Sequence, residues 1–262
     1  MQSPAENTSE IVKLGSMNIE VERCGRGKPL LLLMGEEALE RGSPLLDDLQ
    51  KDHELIIPSP PGFGRSDRPD WVTNPDDFAY VYLDLVEKLG LSDVTLLGFS
   101  LGGWIAAEMA TKDQSYIRRL VLVDAYGVKL GGPYDRDIED IWLLRAEKVA
   151  ALKWRDPAKG KQDYSARSDE ELTIVARNME SFARFCWEPY MHNPKLKHRL
   201  HRISAPTLLI WGENDGVTPM RYGEGYAKLI PGARFVSVPE AGHYPHLEQP
   251  AAFLRELRAF IG

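Results

Sequence analysis

Three observations on this 262-residue chain predict an α/β fold, with a mostly parallel sheet covered by helices on both faces. Short, continuous apolar runs alternate with stretches of helical periodicity, an order that sets parallel strands side by side and buries both sheet faces. Several of the apolar runs end in glycine-bearing turns. One long interval, from about Gly127 to Ile203, breaks the alternation and holds helical patterns without convincing strands.

The elements follow in chain order. Met17–Glu22 alternates apolar and polar residues and reads as an edge strand, whereas Leu30–Leu33, after Gly27-Lys28-Pro29, reads as a fully buried one. Glu54–Pro58, Val94–Leu97, Leu120–Val123, Thr207–Trp211 and Phe235–Val238 are the further strands. Asn74-Pro75 opens a helix as cap and first helical residue; Phe78, Tyr82, Leu85, Val86 and Leu89 mark its apolar face, and Gly90 closes it. Trp104–Ala110, Met220–Ile230 and Ala251–Phe260 are helical as well. Within the interval, Ile138, Ile141, Trp142, Arg145 and Val149 suggest one helix. Ser168-Asp-Glu-Glu171 is a capping box for a second, with Leu172, Val175, Met179 and Phe182 as its stripe. Residues 127–203 are therefore expected to form a helical lid inserted into a core of residues 1–126 and 204–262.

Composition narrows the function. Apolar residues at 43% and charged residues at 27% are ordinary for a globular chain. A net charge of −7 with no basic stripe argues against nucleic acid as a partner. The two cysteines, Cys24 and Cys186, lie far apart and outside any CxxC pair, as reduced thiols do. The N-terminus is polar, without an apolar signal core, and the longest apolar run, Leu30 to Met34, is too short to span a bilayer. The expectation is a cytoplasmic protein with no membrane partner. Neither HExxH nor paired His/Cys spacing occurs, so no metal and no cofactor are expected. Nothing in the sequence indicates an oligomeric state.

The stretch Val94-Thr-Leu-Leu-Gly98-Phe99-Ser100-Leu101-Gly102-Gly103-Trp104 carries the most chemistry. A buried strand leads into G-x-S-x-G and then into a helix. A serine on so tight a turn needs glycine two residues to either side, and the helix N-terminus behind it favours developing negative charge. A nucleophilic serine needs a base, and the base needs an orienting acid. Asp215 sits in the turn Gly212-Glu-Asn-Asp215-Gly-Val-Thr-Pro219 after one strand, and His243 in Pro239-Glu-Ala-Gly242-His243 after the last. Serine, acid and base thus appear in that order, each at a strand end. Glu213 and Asp124 compete as acids and His246 as base; His53, His192, His198 and His201 are expected on the surface or in the lid.

These features resemble the α/β-hydrolase superfamily over nearly the whole chain. Four landmarks carry the resemblance: Pro61-Gly-Phe-Gly-Arg-Ser-Asp67, Gly98-Phe-Ser-Leu-Gly102, Gly212-Glu-Asn-Asp215 and Gly242-His-Tyr-Pro-His-Leu-Glu-Gln-Pro250. Asn193–Ile203 looks like the lid exit of carbon–carbon bond hydrolases of aromatic ring cleavage. The resemblance implies an eight-stranded sheet and a serine hydrolase in which Ser100 attacks, His243 acts as base and Asp215 orients it. It also implies an oxyanion hole made of the backbone N–H groups of Leu101 and Glu36. The expected partner is a small, largely apolar carbonyl substrate, cleaved at an ester-like bond through an acyl-enzyme. A carbon–carbon bond hydrolase, or a lyase, perhydrolase, oxygenase or small-molecule-binding member of the same fold, stays open as the alternative. Gly35, Glu37, Trp104, Trp142, Phe182 and Trp187 are candidate substrate contacts.

One departure stands out. Leu33-Met34-Gly35-Glu36-Glu37 has methionine where the family usually has histidine, and puts a carboxylate at the second oxyanion donor. An ionised carboxylate pointing inward would oppose an oxyanion, so both glutamates are expected to face solvent. Otherwise one of them lines the pocket, where it binds a cationic or donor group of the substrate or stays protonated.

Overall fold

The computed structural model describes residues 8–36, 42–161 and 163–262. Its strands are β1 (Thr8–Leu14), β2 (Met17–Gly25), β3 (Lys28–Leu33), β4 (His53–Pro58), β5 (Val94–Phe99), β6 (Ile117–Val123), β7 (Thr207–Gly212) and β8 (Arg234–Val238). They form one eight-stranded sheet in the order β1-β2-β4-β3-β5-β6-β7-β8. The β1–β2 and β2–β4 pairings are antiparallel and the rest parallel. Every residue of β5 and β7 is buried, as strands covered on both faces must be.

The helices are α1 (Pro44–Leu49), α2 (Pro75–Lys88), α3 (Leu101–Lys112), α4 (Ala146–Lys153), α5 (Asp169–Cys186), α6 (Met220–Lys228), α7 (Pro245–Glu248) and α8 (Pro250–Ile261). Successive strand side chains point to opposite faces, and the core divides accordingly. Leu30, Leu32, Leu97 and Phe99 pack with Leu45 and Leu49 of α1 and Phe253 and Leu257 of α8. Leu31, Leu33, Leu96 and Trp211 pack with α2, α3 and α6 on the other face. Asn74 caps α2 by accepting from the N–H groups of Asp76 and Asp77, and Gly90 takes φ +63° just beyond its end. Among the described residues, no helix is long and apolar enough to cross a membrane.

The structure corrects three expectations. Met17–Glu22 belongs to an interior strand, because β1 pairs outside it. β1 gave no apolar signal, since Val12 is its one buried residue. The helix expected from Ile138 starts only at Ala146. Before it, side chains and distant carbonyls take the backbone N–H groups: Glu139 donates to the carbonyl of Val217, Ile141 to the Tyr190 hydroxyl, and Trp142 and Leu143 to the Asp140 carboxylate. Local side-chain acceptors of this kind compete with helix. The capping box at Ser168 is present, but the buried face of α5 is Ser181, Phe182, Phe185 and Cys186, and Met179 is exposed.

Between β6 and β7 the described residues hold helices and turns and no named strand. This segment is tied down at two places. The Gly62–Ser66 loop docks on α5: the carbonyl of Gly62 accepts from Ser181 and Arg177, and the N–H of Gly64 donates to Asn178. The end of α4 holds the two loops that carry Asp215 and His243, as described next.

Candidate active site

Ser100 occupies the turn between β5 and α3 at φ 47°, ψ −110°, a strained conformation for any side chain. Two glycines make the turn possible. A Cβ on Gly102 would lie 2.1 Å from the Leu33 carbonyl oxygen, and one on Gly98 would lie 2.4 Å from that of Gly102. The first bond of α3 runs from the Trp104 N–H to the Ser100 carbonyl, so the N–H of Leu101 at the helix start has no acceptor within the helix.

Asp215 follows β7. Its Oδ1 accepts the N–H groups of Val217 and Thr218, and its Oδ2 accepts the Thr218 hydroxyl. The same Oδ2 lies 2.7 Å from Nδ1 of His243, and Nε2 of His243 lies 2.7 Å from Oγ of Ser100. With Nδ1–H donating to the carboxylate, Nε2 accepts from the serine. Ser100, Asp215 and His243 are 2%, 4% and 1% exposed, so this chain of bonds is dry. Backbone contacts fix both loops: His243 N–H to the carbonyl of Lys153, Gly216 N–H to that of Leu152, and Asn214 N–H to that of Ala241. Glu248 adds a clamp, accepting the N–H groups of Gly242, Arg155 and Asp156. Its role had no local sequence signal beyond its place in the last landmark.

The competing residues stand elsewhere. Asp124 accepts the Gly212 N–H at 2.9 Å; burial, and then the Asp215 charge, push its carboxyl well above the usual carboxylate range. It braces the loop that carries Asp215. Ligand atoms of Asp124, Asp215 and His243 lie within 4.8 Å of one another. Even so, both Asp215 oxygens are already engaged, by the N–H groups of Val217 and Thr218, the Thr218 hydroxyl and His243, which leaves a poor metal donor set. His246 packs against Phe99 at 4.3 Å, and burial, then His243, hold its imidazole down at about 3. Glu213 is exposed and accepts from Ser237. His198 and His201 are exposed and His192 is half-buried, but His53 is 1% exposed, sealed beneath β3 by strand pairing.

The loop after β3 brings the largest correction. A Cβ on Gly35 would lie 3.0 Å from Cβ of Ser100, so the chain passes directly over the serine. Glu36 turns inward, with a side chain 7% exposed. Its Oε1 accepts from Nζ of Lys153 at 2.8 Å, from the Tyr126 hydroxyl at 3.2 Å and from the Tyr244 hydroxyl at 3.4 Å. Lys153 is the reason it can point in: the ammonium pays for the buried charge. Burial would raise the Glu36 carboxyl, but the Lys153 ammonium, the nearby His243 ring, the Lys153 bond and its own N–H hold it down at about 2. The group is therefore ionised, and the protonated alternative fails. Glu37 lies outside the described residues.

This pairing has a pH signature. The folded value lies below the ordinary 4.5, so between those limits the folded chain binds fewer protons than the unfolded one. The Glu36 contribution is fully present above pH 4.5 and fades as pH falls towards 2. Glu36→Gln should destabilise the fold by about 3 kcal/mol near neutrality, because it removes the buried carboxylate that accepts from the Lys153 ammonium. The gap from wild type in thermal melts should narrow between about pH 5 and pH 3. A gap that does not change with pH would contradict the assignment.

Of the candidate substrate contacts, Trp104 lies in the core, its indole N–H donating to Glu108 and its ring against Gly127. The other aromatics form a row leading away from the base. Tyr126 stacks on His243 at 5.2 Å, Phe182 on Tyr126 at 6.3 Å, Trp142 meets Phe182 at 5.3 Å, and Trp187 meets Trp142 at 5.7 Å and is exposed. Tyr126, Lys153 and Tyr244 were not anticipated; they reach Glu36 from the end of β6, from α4 and from the residue after His243. Only Tyr244 had a clue, in its place beside His243.

Comparison with known proteins agrees with this architecture. Residues 38–256 match the model of the alpha/beta hydrolase family, and the chain belongs to that family. Over 97% of its length it is 28% identical to mouse serine hydrolase BPHL, covering 86% of that protein. It is 24% identical to the 2-hydroxymuconate semialdehyde hydrolase of Pseudomonas sp. (strain CF600), covering 99% of this chain and 95% of that one. An esterase from Exiguobacterium antarcticum superposes with a TM-score of 0.76 at 22% identity, over 97% of this chain and 99% of that one. The protein is a hydrolase of the α/β-hydrolase superfamily.

Proposed function

We propose that the protein is a serine hydrolase cleaving an ester-like bond of a small, largely apolar carbonyl substrate. The observation that carries this reading is the buried chain Ser100–His243–Asp215, with both links at 2.7 Å. His243 takes the Ser100 proton as Oγ attacks the carbonyl carbon, and Asp215 steadies the imidazolium. The N–H groups of Leu101 and Glu36 receive the oxyanion. His243 returns the proton to the leaving alcohol, and water, activated by the same base, releases the acid and restores Ser100.

Residues 127–203 form the lid in this reading, and Trp142, Phe182 and Trp187 line the apolar approach. The small number of cysteines, Cys24 and Cys186, both buried, supports a reducing, cytoplasmic setting.

The likeness to a 2-hydroxymuconate semialdehyde hydrolase favours carbon–carbon bond cleavage as the second reading. A panel of p-nitrophenyl esters of increasing acyl length separates the two. Turnover that rises with acyl length and then falls is expected. No turnover of any ester, together with cleavage of 2-hydroxymuconate semialdehyde, would replace the first reading with the second.

A further inference from the structure

The mechanism above leaves the Tyr126 hydroxyl and the Glu36 carboxylate without a task, although both face the catalytic nitrogen. Tyr126 is fully buried and its hydroxyl lies 2.9 Å from Nε2 of His243. The Ser100 hydroxyl lies 2.7 Å from the same atom. A neutral imidazole with Nδ1–H on Asp215 has a single lone pair at Nε2, so two hydroxyls contend for one acceptor. If Tyr126 donates there, Ser100 has lost its base.

Burial and the Glu36 charge push the Tyr126 hydroxyl well above its ordinary range, so it keeps its proton and must place it on one neighbour or the other. The second neighbour is Glu36 Oε1, at 3.2 Å. An ionised carboxylate is a stronger acceptor than a neutral ring nitrogen. Lys153, at 2.8 Å, keeps the carboxylate in place across the end of α4.

We propose that Glu36 and Tyr126 are positioning residues for His243: Glu36 holds the Tyr126 proton, which reserves Nε2 for Ser100. The inference rests on the reading of Ser100 and His243 as nucleophile and base. The protons balance without ionising Tyr126. As the Oγ–C bond forms, the Ser100 proton moves to Nε2. The phenolic oxygen, its own proton on Glu36, offers a lone pair to the new Nε2–H. That proton then leaves to the departing oxygen, and Tyr126 is unchanged. The carboxylate that opposes an oxyanion by its charge thus serves the base instead.

The rate at which a fluorophosphonate labels the full-length protein tests this without a known substrate. Glu36→Leu with Lys153→Met removes the acceptor together with the ammonium bonded to it. This double variant should label at least about 10-fold more slowly, because Tyr126 then donates to Nε2. Adding Tyr126→Phe should restore most of that loss, bringing the triple variant to within about 3-fold of Tyr126→Phe alone. A purely structural role would make the triple variant slower than the double. If the double variant does not fold, Glu36→Leu alone, with and without Tyr126→Phe, supplies the same comparison. Wild-type labelling with an unchanged double variant, or a triple variant no faster than the double, overturns the inference. Wild-type protein that does not label at Ser100 overturns the underlying reading instead.

Discussion

Replacing Ser100 with alanine is expected to lower ester turnover by at least about 10⁴-fold while the protein stays folded. Among the described residues Oγ bonds to His243 Nε2 alone, and Tyr126 already stands 2.9 Å from that nitrogen to satisfy it. The strained backbone of the turn is held by Gly98, Gly102 and the bond from the Ser100 N–H to the Val123 carbonyl, none of which needs the hydroxyl. The thermal midpoint should therefore move little, while the rate collapses to what the oxyanion donors and binding alone provide. Residues acting as one unit are not additive, so adding His243→Ala to Ser100→Ala should cost almost nothing further. A double variant markedly slower than Ser100→Ala would mean that His243 works independently of the serine.

The second large effect is expected at Asp215→Asn, a fall of roughly 10⁴-fold with the fold retained. The reason lies in how this carboxylate is bonded. Oδ1 accepts two backbone N–H groups, from Val217 and Thr218. An asparagine must keep its carbonyl oxygen on that side, which turns its NH₂ towards His243. Nδ1 then has to accept rather than donate, the ring proton moves to Nε2, and the lone pair that should receive the Ser100 proton is gone. Asp124→Asn is the contrast. Asp124 braces Gly212 through Oδ1, and burial pushes its carboxyl well above the usual range, so its amide is nearly isosteric and should change the rate by less than about 10-fold. If the two variants behaved alike, the assignment of the acid would have to be shared.

Much of this was legible in the chain. Gly98 and Gly102, flanking Ser100 between a buried strand and a helix, announce a turn that few other residues could make, and Asp215 and His243 sit in comparable strand-end turns. The interior strands were legible because β5 and β7 are buried throughout and mostly apolar. Periodicity could not find β1, whose exposed residues carry no pattern, and so β2 was mistaken for an edge. It placed a helix over Ile138–Val149 because apolar spacing alone ignores Asp140 and Tyr190, whose side chains claim the backbone N–H groups there.

The direction of Glu36 was illegible for a different reason. Its burial depends on Lys153, which lies 117 residues further along the chain, and no local pattern encodes that meeting. Tyr126 likewise becomes a neighbour of His243 only because β6 ends beside β5 and β7. What sequence reasoning saw as a weakened oxyanion loop is, in the folded chain, a charged network that reaches the base.

The central claim is that Ser100 is an activated nucleophile, and intact-mass analysis after treatment with a fluorophosphonate tests it most directly. The account predicts one adduct per chain, located on the peptide containing Ser100 and absent from Ser100→Ala. Folded protein that takes up no adduct, or takes it up equally with Ser100 replaced, would contradict it.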